Sequence, residues 1–375
     1  MTASDLARAA AASQRRATVV MGSMAAAATY DGLCWPKGDQ RRLLECLFLP
    51  DEARARDAFA AWRGRVSLDL LEGGSLALMP LLYYRLRALG VADPALARLK
   101  GAHRYHWCRG EVLRRRALEA VDALAAAGIR PLALKGLAMV EHYGGDHGLR
   151  PMSDVDLLVP RAQGAAAVAA LARRGWRPGP ALAGDALGDA LEHLHGGALV
   201  LGGAELDLHW ASLVEDLSPD GDAGLWRRAR ARTVEGRALS FPTVTDLLFH
   251  VCVHGARFSR AGSVIWVPDA MRLLDGAGGA VDWPGLIQQA AARHLQLPLR
   301  EALRFLREVL GASVPADVVA ALEPPEPKWL YWYDHHAFAA DPAASAVMHR
   351  AAARILAKIR RGETVTGLTV DGAGR

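Results

Sequence analysis

From Gln40 to Ala126 the apolar residues recur at three- and four-residue steps, first Leu43, Leu44, Leu47 and Phe48, then Leu78, Leu81, Leu82, Leu86 and Leu89. That is the period of helices that bury one face. Pro36, Pro50, Gly73-Gly74, Gly90 and Pro94 punctuate the run, so the pattern predicts an all-α lobe of four or five helices over 35–126. After Gly128 the character changes. Ile129 to Leu134 is a short, mainly apolar run bounded by turn signals, the mark of a buried strand. Leu137 to Tyr143 suits a helix, Val155 to Val159 a strand and Ala162 to Arg174 an amphipathic helix, with Gly175-Trp176 turning into a further strand. Gly196-Gly197 and Gly202-Gly203 bracket Ala198 to Leu201, and Glu205 to Trp210 alternates strictly, which predicts a hairpin.

Beyond Asp216 the helical period returns, over Thr245 to Gly255, Asp269 to Leu274, Trp283 to His294 and Leu299 to Leu310. The fold class expected is therefore α+β, a small mixed sheet flanked by N- and C-terminal helical lobes. The divisions fall at 1–34 (an Ala-rich lead-in with little large apolar surface to bury), 35–126 (helical lobe), 127–215 (α/β core), 216–335 (second helical lobe) and 336–375 (a basic tail holding a helix from Ala344 to Arg361). No internal repeat is visible.

Half of the 375 residues are apolar, far too many for a disordered chain. The formal charge of +5 is spread thinly and names no partner. The four cysteines, Cys34, Cys46, Cys108 and Cys252, include no CxxC pair to grip zinc and no dense framework to oxidise, so a reducing cytoplasm is the expected location. Arg15-Arg16 and the stretch after it only loosely imitate an export leader. No uncharged apolar run reaches the roughly 18 residues of a membrane helix.

The chemistry gathers around Leu134-Lys135-Gly136 and, 17 residues after the glycine, Ser153-Asp154-Val155-Asp156-Leu157-Leu158-Val159. Side chains i and i+2 share a strand face, so Asp154 and Asp156 are expected to point together while Val155, Leu157 and Val159 face the core. Two like charges so close call for a cation, and Mg²⁺ or Mn²⁺ is the natural partner of carboxylate oxygens. Asp207, flanked by Leu206 and Leu208 and sharing a face with Glu205 and His209, would supply a third carboxylate. Gly136, opening a helix after a strand, would let the backbone approach a phosphate.

These residues resemble the DNA polymerase β-like nucleotidyltransferase superfamily, whose signature is a glycine turn from strand to helix, an Asp-x-Asp strand and a later Asp. Leu134-Lys-Gly, Tyr143, Gly148 to Val159 and Asp207-Leu-His-Trp210 look more closely like a bacterial family of uncharacterised nucleotidyltransferases. So do Asp246 to His250, His254-Gly, Trp266 to Asp269 and Asp282-Trp283, and the likeness runs from about residue 40 to 325. It implies that Asp154, Asp156 and Asp207 are catalytic metal ligands and that Gly136 and its neighbours form the triphosphate turn of a Mg-dependent enzyme. Such an enzyme moves an NMP from an NTP, expected to be ATP, to an acceptor hydroxyl and releases pyrophosphate. The sequence departs from the pattern in having Lys135-Gly136-Leu137 where Gly-Ser or Gly-Gly is usual. Lys135, one of only five lysines, would replace the lost hydroxyl as a point charge. Arg150 would hold a phosphate from the loop leading to Asp154, and Ser153 would cap or orient that loop.

The acceptor stays open between a small molecule, a protein and RNA. Arg104, Arg109 and Arg114 to Arg116, interleaved with Tyr105 and Trp107, form the densest basic aromatic patch, so nucleic acid belongs among the candidates. Asp246, His250 and His254 share one helix face. Two rival readings stand beside the transferase: a catalytically weak nucleotide- or partner-binding member of the same fold, suggested by the altered glycine turn, and a metal-dependent phosphohydrolase built on His193, His195 and Asp207.

Overall fold

The computed structural model describes residues 35–36, 38–258, 264–276 and 280–325, with single positions at 328, 330, 331, 355, 356, 358, 359 and 363. The Ala-rich lead-in and nearly all of the basic tail lie outside the described residues. The chain opens with helices α1 (Gly38–Phe48), α2 (Glu52–Arg63), α3 (Gly73–Leu76) and α4 (Met79–Ala88), followed by the 30-residue α5 (Leu96–Ala125). Asp51 caps α2 by accepting from the N–H groups of Ala53 and Arg54. Leu43, Leu44, Leu78, Leu82 and Leu86 are fully enclosed, so the apolar stripes meet one another.

The α/β part follows as β1 (Leu132–Ala133), α6 (Lys135–Met139), β2 (Val155–Leu158), α7 (Gly164–Arg173), β3 (Arg177–Pro178), α8 (Ala186–His193), β4 (Gly196–Leu201) and β5 (Ala204–His209). Then come α9 (Ala223–Arg228), β6 (Arg230–Val234), β7 (Arg237–Phe241), α10 (Val244–Phe258), α11 (Trp266–Leu274), α12 (Trp283–Ala292), α13 (Gln296–Leu310) and α14 (Ala316–Ala321). Seven strands form one mixed sheet in the order β3-β4-β5-β2-β1-β7-β6. β2 runs parallel to β5 and β1 parallel to β7, and the remaining neighbours are antiparallel.

The sheet extends past residue 215, where the sequence pattern places only helices. The hairpin β6–β7 adds two strands beside β1. Its outer strand Arg230–Val234 is solvent-facing almost throughout and therefore shows no inward apolar alternation by which a strand is recognised. β2 sits in the middle and is buried at all four positions. One of its faces, with Val155 and Leu157, joins the main core under α5 and α7, while Leu158 joins Leu132, Leu134 and Leu225 on the other. The two helical regions also meet directly, since Trp35 packs on Trp266 and Phe305 with ring centroids 5.9 and 5.4 Å apart. No helix among the described residues is long and apolar enough to cross a membrane.

Candidate functional site

β1 is antiparallel to β2 and β2 parallel to β5, so the end of β1 and the starts of β2 and β5 share one edge of the sheet. Lys135, the first residue after this edge, has φ +41°, a left-handed conformation that costs a non-glycine residue about 1–2 kcal/mol. The fixed turn directs its ammonium back over the sheet, where Nζ lies 2.6 Å from Asp156 Oδ1. Gly136 is required by proximity rather than by its backbone angle, because a Cβ there would stand 2.6 Å from an Arg150 nitrogen and 2.7 Å from Met152 Sδ.

Asp156 and Asp207 are paired in register on the neighbouring strands β2 and β5. They project from the same face, and with His209 they form a group whose ligand atoms all lie within 4.8 Å of one another. His209 Nε2 is 3.0 Å from Asp156 Oδ1, and since an ionised carboxylate only accepts, that nitrogen carries the hydrogen. Burial alone would raise the Asp156 pKa, but the hydrogen bond from His209 and the charge of Lys135 outweigh it and hold the carboxyl well below the usual range. Asp207 goes the other way. Burial is the leading cause and pushes its pKa up; His209 and Lys135 pull it down, Asp156 and Asp154 push it up, and burial decides the direction. The Lys135 pKa is raised even though burial opposes its charge, because Asp156, Asp154 and Asp207 all favour the ammonium. Lys135 and His209 thus hydrogen-bond Asp156 directly, while on Asp207 they act only through their charge, which does not offset its burial.

Asp154 lies one residue ahead of β2, half-buried, with Ser153 Oγ donating to its Oδ1 at 3.0 Å. It is outside the group of mutually close ligand atoms, but its charge acts on both Lys135 and Asp207. Arg109, on α5, fixes this approach by donating to the carbonyls of Met152 and Ser153 at 3.3 and 3.4 Å. Arg150, assigned from the sequence to a phosphate, is instead buried and donates to Asp269 of α11 at 2.9 and 3.3 Å; Tyr143 donates to the same carboxylate at 2.9 Å. Its fork is fully engaged in tying the loop to the helix.

Three further imidazoles surround the group. His195 lies 5.2 Å from His209, centroid to centroid, and His250 stacks on His254 at 5.8 Å along α10. Burial, with the nearby positive charges, lowers the His195 pKa to about 4 and that of His254 to about 3. These rings are neutral at ordinary pH. His193 is exposed and paired with Asp189, outside the ligand group. A cavity of about 440 Å³ lies between α6, β6 and the start of α10, another of about 770 Å³ lies beside α9 and α12, and neither is lined by Asp154, Asp156 or Asp207.

The family model described as uncharacterised nucleotidyltransferase matches residues 75–311, more than half of the chain, from α3 to the end of α13. The chain belongs to that family. A solved structure from Paracoccidioides brasiliensis, titled an antigenic nucleotidyltransferase-like protein, is similar at 16% identity with a TM-score of 0.34, covering 56% of this chain and 95% of that one. No curated protein matches the chain.

Within this nucleotidyltransferase family member, His209, which the sequence places on one strand face with Asp207 as a base or partner of that carboxylate, joins Asp156 and Asp207 in the ligand group. The partnership of Asp269 with Arg150 had no signal in the sequence, because 119 residues separate them.

Proposed function

We propose that the chain transfers a nucleoside monophosphate from an NTP, with ATP as the expected donor, to an acceptor hydroxyl with release of pyrophosphate. The observation that carries this reading is the opposed pair Asp156 and Asp207 on adjacent central strands with His209 in the same ligand group. The donor set fits a hard divalent cation such as Mg²⁺ or Mn²⁺, because two carboxylates present oxygens within 4.8 Å of each other and burial disfavours the charge on Asp207. Asp156 and Asp207 would hold the ion, with Asp154 at the entrance. Bound there, a divalent cation supplies positive charge to phosphate oxygens and lowers the pKa of a coordinated hydroxyl. Lys135 presents a positive charge at the start of α6, where it would exchange Asp156 for an arriving phosphate. Arg109 keeps the Met152–Ser153 backbone, and hence Asp154, in place as substrate enters. The neutral His195 and His254 rings keep the floor of the site free of competing positive charge.

The test is incubation of the protein with α-labelled NTPs, Mg²⁺ and a cell extract, following the label and the pyrophosphate. Asp156→Asn and Asp207→Asn should each lower label transfer by about two orders of magnitude or more, the cost of removing a group that stabilises developing charge. Equal transfer by the Asp207→Asn protein would end the proposal. The Lys135–Asp156 ion pair favours one second reading, a member that binds NTP without turning it over. Metal-dependent NTP binding by calorimetry with no pyrophosphate released would establish it.

A further inference from the structure

Helix α5 is about 45 Å long at 1.5 Å per residue, and its solvent side is unusual. At 3.6 residues per turn, Arg104, Tyr105, Arg109, Val112, Arg115 and Arg116 fall within an arc of about 140°. Tyr105 is 61% exposed and Val112 59%. Among the described residues, Arg104 and Arg115 have neither a hydrogen bond nor an ion pair. Arg116 pairs with Glu119 at 2.6 Å, and Arg109 donates to the loop carbonyls before Asp154. A free-standing helix face normally mixes charges of both signs, because unpaired like charges repel along it. Between Arg104 and Arg116 this one carries four guanidiniums around one exposed phenol ring, and the acid that follows in the same arc, Glu119, is paired with Arg116.

The arc is also continuous with the acidic group. Arg109 touches the residues directly preceding Asp154, and a Cβ at Gly202, on the β4–β5 turn, would lie 3.3 Å from Arg116. Both residues therefore reach the sheet edge at which β2 and β5 begin. We infer that this face of α5 binds a single-stranded RNA, whose phosphates meet the guanidiniums and whose bases stack on Tyr105, and that the strand's terminal hydroxyl is the acceptor presented at Asp154. The complementary charge of such a face is a polyanion, and an exposed ring beside arginines suits unpaired bases better than a duplex, whose bases are already stacked. RNA is the form in which single strands with free 3′ ends are ordinarily presented. The acceptor assignment rests on the transferase reading, while binding to the face stands independently of it.

The experiment is fluorescence anisotropy of a labelled single-stranded RNA of roughly 15 nucleotides, near the upper end of common site sizes, with full-length protein, EDTA and no NTP. Wild type should bind with an affinity that falls steeply with salt. Arg104→Glu/Arg115→Glu should weaken binding by tenfold or more, and Tyr105→Ala by about fivefold or more, the loss of one base stack. Asp207→Asn should bind as wild type, so a failure of transfer with binding intact strikes only the catalytic reading. Three results would overturn the inference: absence of RNA binding, equal or tighter binding of single-stranded DNA or duplex, or binding unchanged in both α5 variants. A dimer in size-exclusion chromatography that Tyr105→Ala or Val112→Ser dissolves would likewise overturn it, assigning the face to a second copy of the chain. Arg104, Tyr105, Val112 and Arg115 are solvent-exposed and Asp207 is half-buried, and unchanged circular dichroism and melting will show that the variants are folded.

Discussion

Lys135 holds together features that no other lysine could supply from elsewhere in the chain: a left-handed backbone at the end of β1, and an ammonium against the nearly enclosed Asp156. Lys135→Met keeps the stem and removes the charge. It should cost about 3 kcal/mol of stability at pH 7 in urea denaturation, as when one partner of a buried pair is deleted; a loss under 1 kcal/mol would show that His209 alone compensates the carboxylate. The sign with pH follows from the depressed Asp156 pKa. Its contribution is complete above the ordinary carboxylate value of about 4 and declines only as the pH falls below that towards the lowered folded value. At this scale the sequence displayed the acidic residues and the lysine–glycine turn. It could not display which carboxylate Lys135 would choose, since that depends on how the ends of separate strands are brought together.

Between elements, the loop from Gly148 to Ser153 is held twice, by Arg109 of α5 and by the Arg150–Asp269–Tyr143 cluster against α11. Asp269 is 2% exposed, so Asp269→Ala strands a buried guanidinium and should destabilise the protein by about 3–5 kcal/mol. The double variant Arg150→Met/Asp269→Leu removes both charges and should recover most of that loss in thermal melts. If the double variant is as unstable as the single one, the cluster acts through packing and not through its charges. The hairpin β4–β5 was readable because Gly-Gly pairs bound it and the apolar positions alternate. β6 was not, because Arg230, Arg232 and their neighbours face water at the sheet margin, where nothing in the sequence separates a strand from a charged loop.

For the molecule as a whole, the buried imidazoles set acid tolerance. His195 and His254 have pKa values lowered to about 4 and about 3, and His250 lies well below its usual value, with burial the leading cause in each. An unfolded histidine takes up its proton near pH 6.5, so between there and the folded values the unfolded state binds more protons and stability falls with falling pH. The melting temperature should be level above pH 7 and drop steadily from about 6.5 downwards, and His254→Gln should flatten the slope. A melting temperature at pH 4.5 equal to that at 7.5 would contradict this account. Carboxylates contribute in the same range with both signs, Asp207 opposing the fall and Asp156 adding to it only at the acid end.

The contact of Trp35 with Trp266 and Phe305 has a consequence in time. Trp35 meets Phe305 only after 270 later residues have been made, and contacts of such long sequence separation form slowly. Until then the Trp35 ring stands without its final cover, which makes the half-synthesised chain a natural client for holding chaperones.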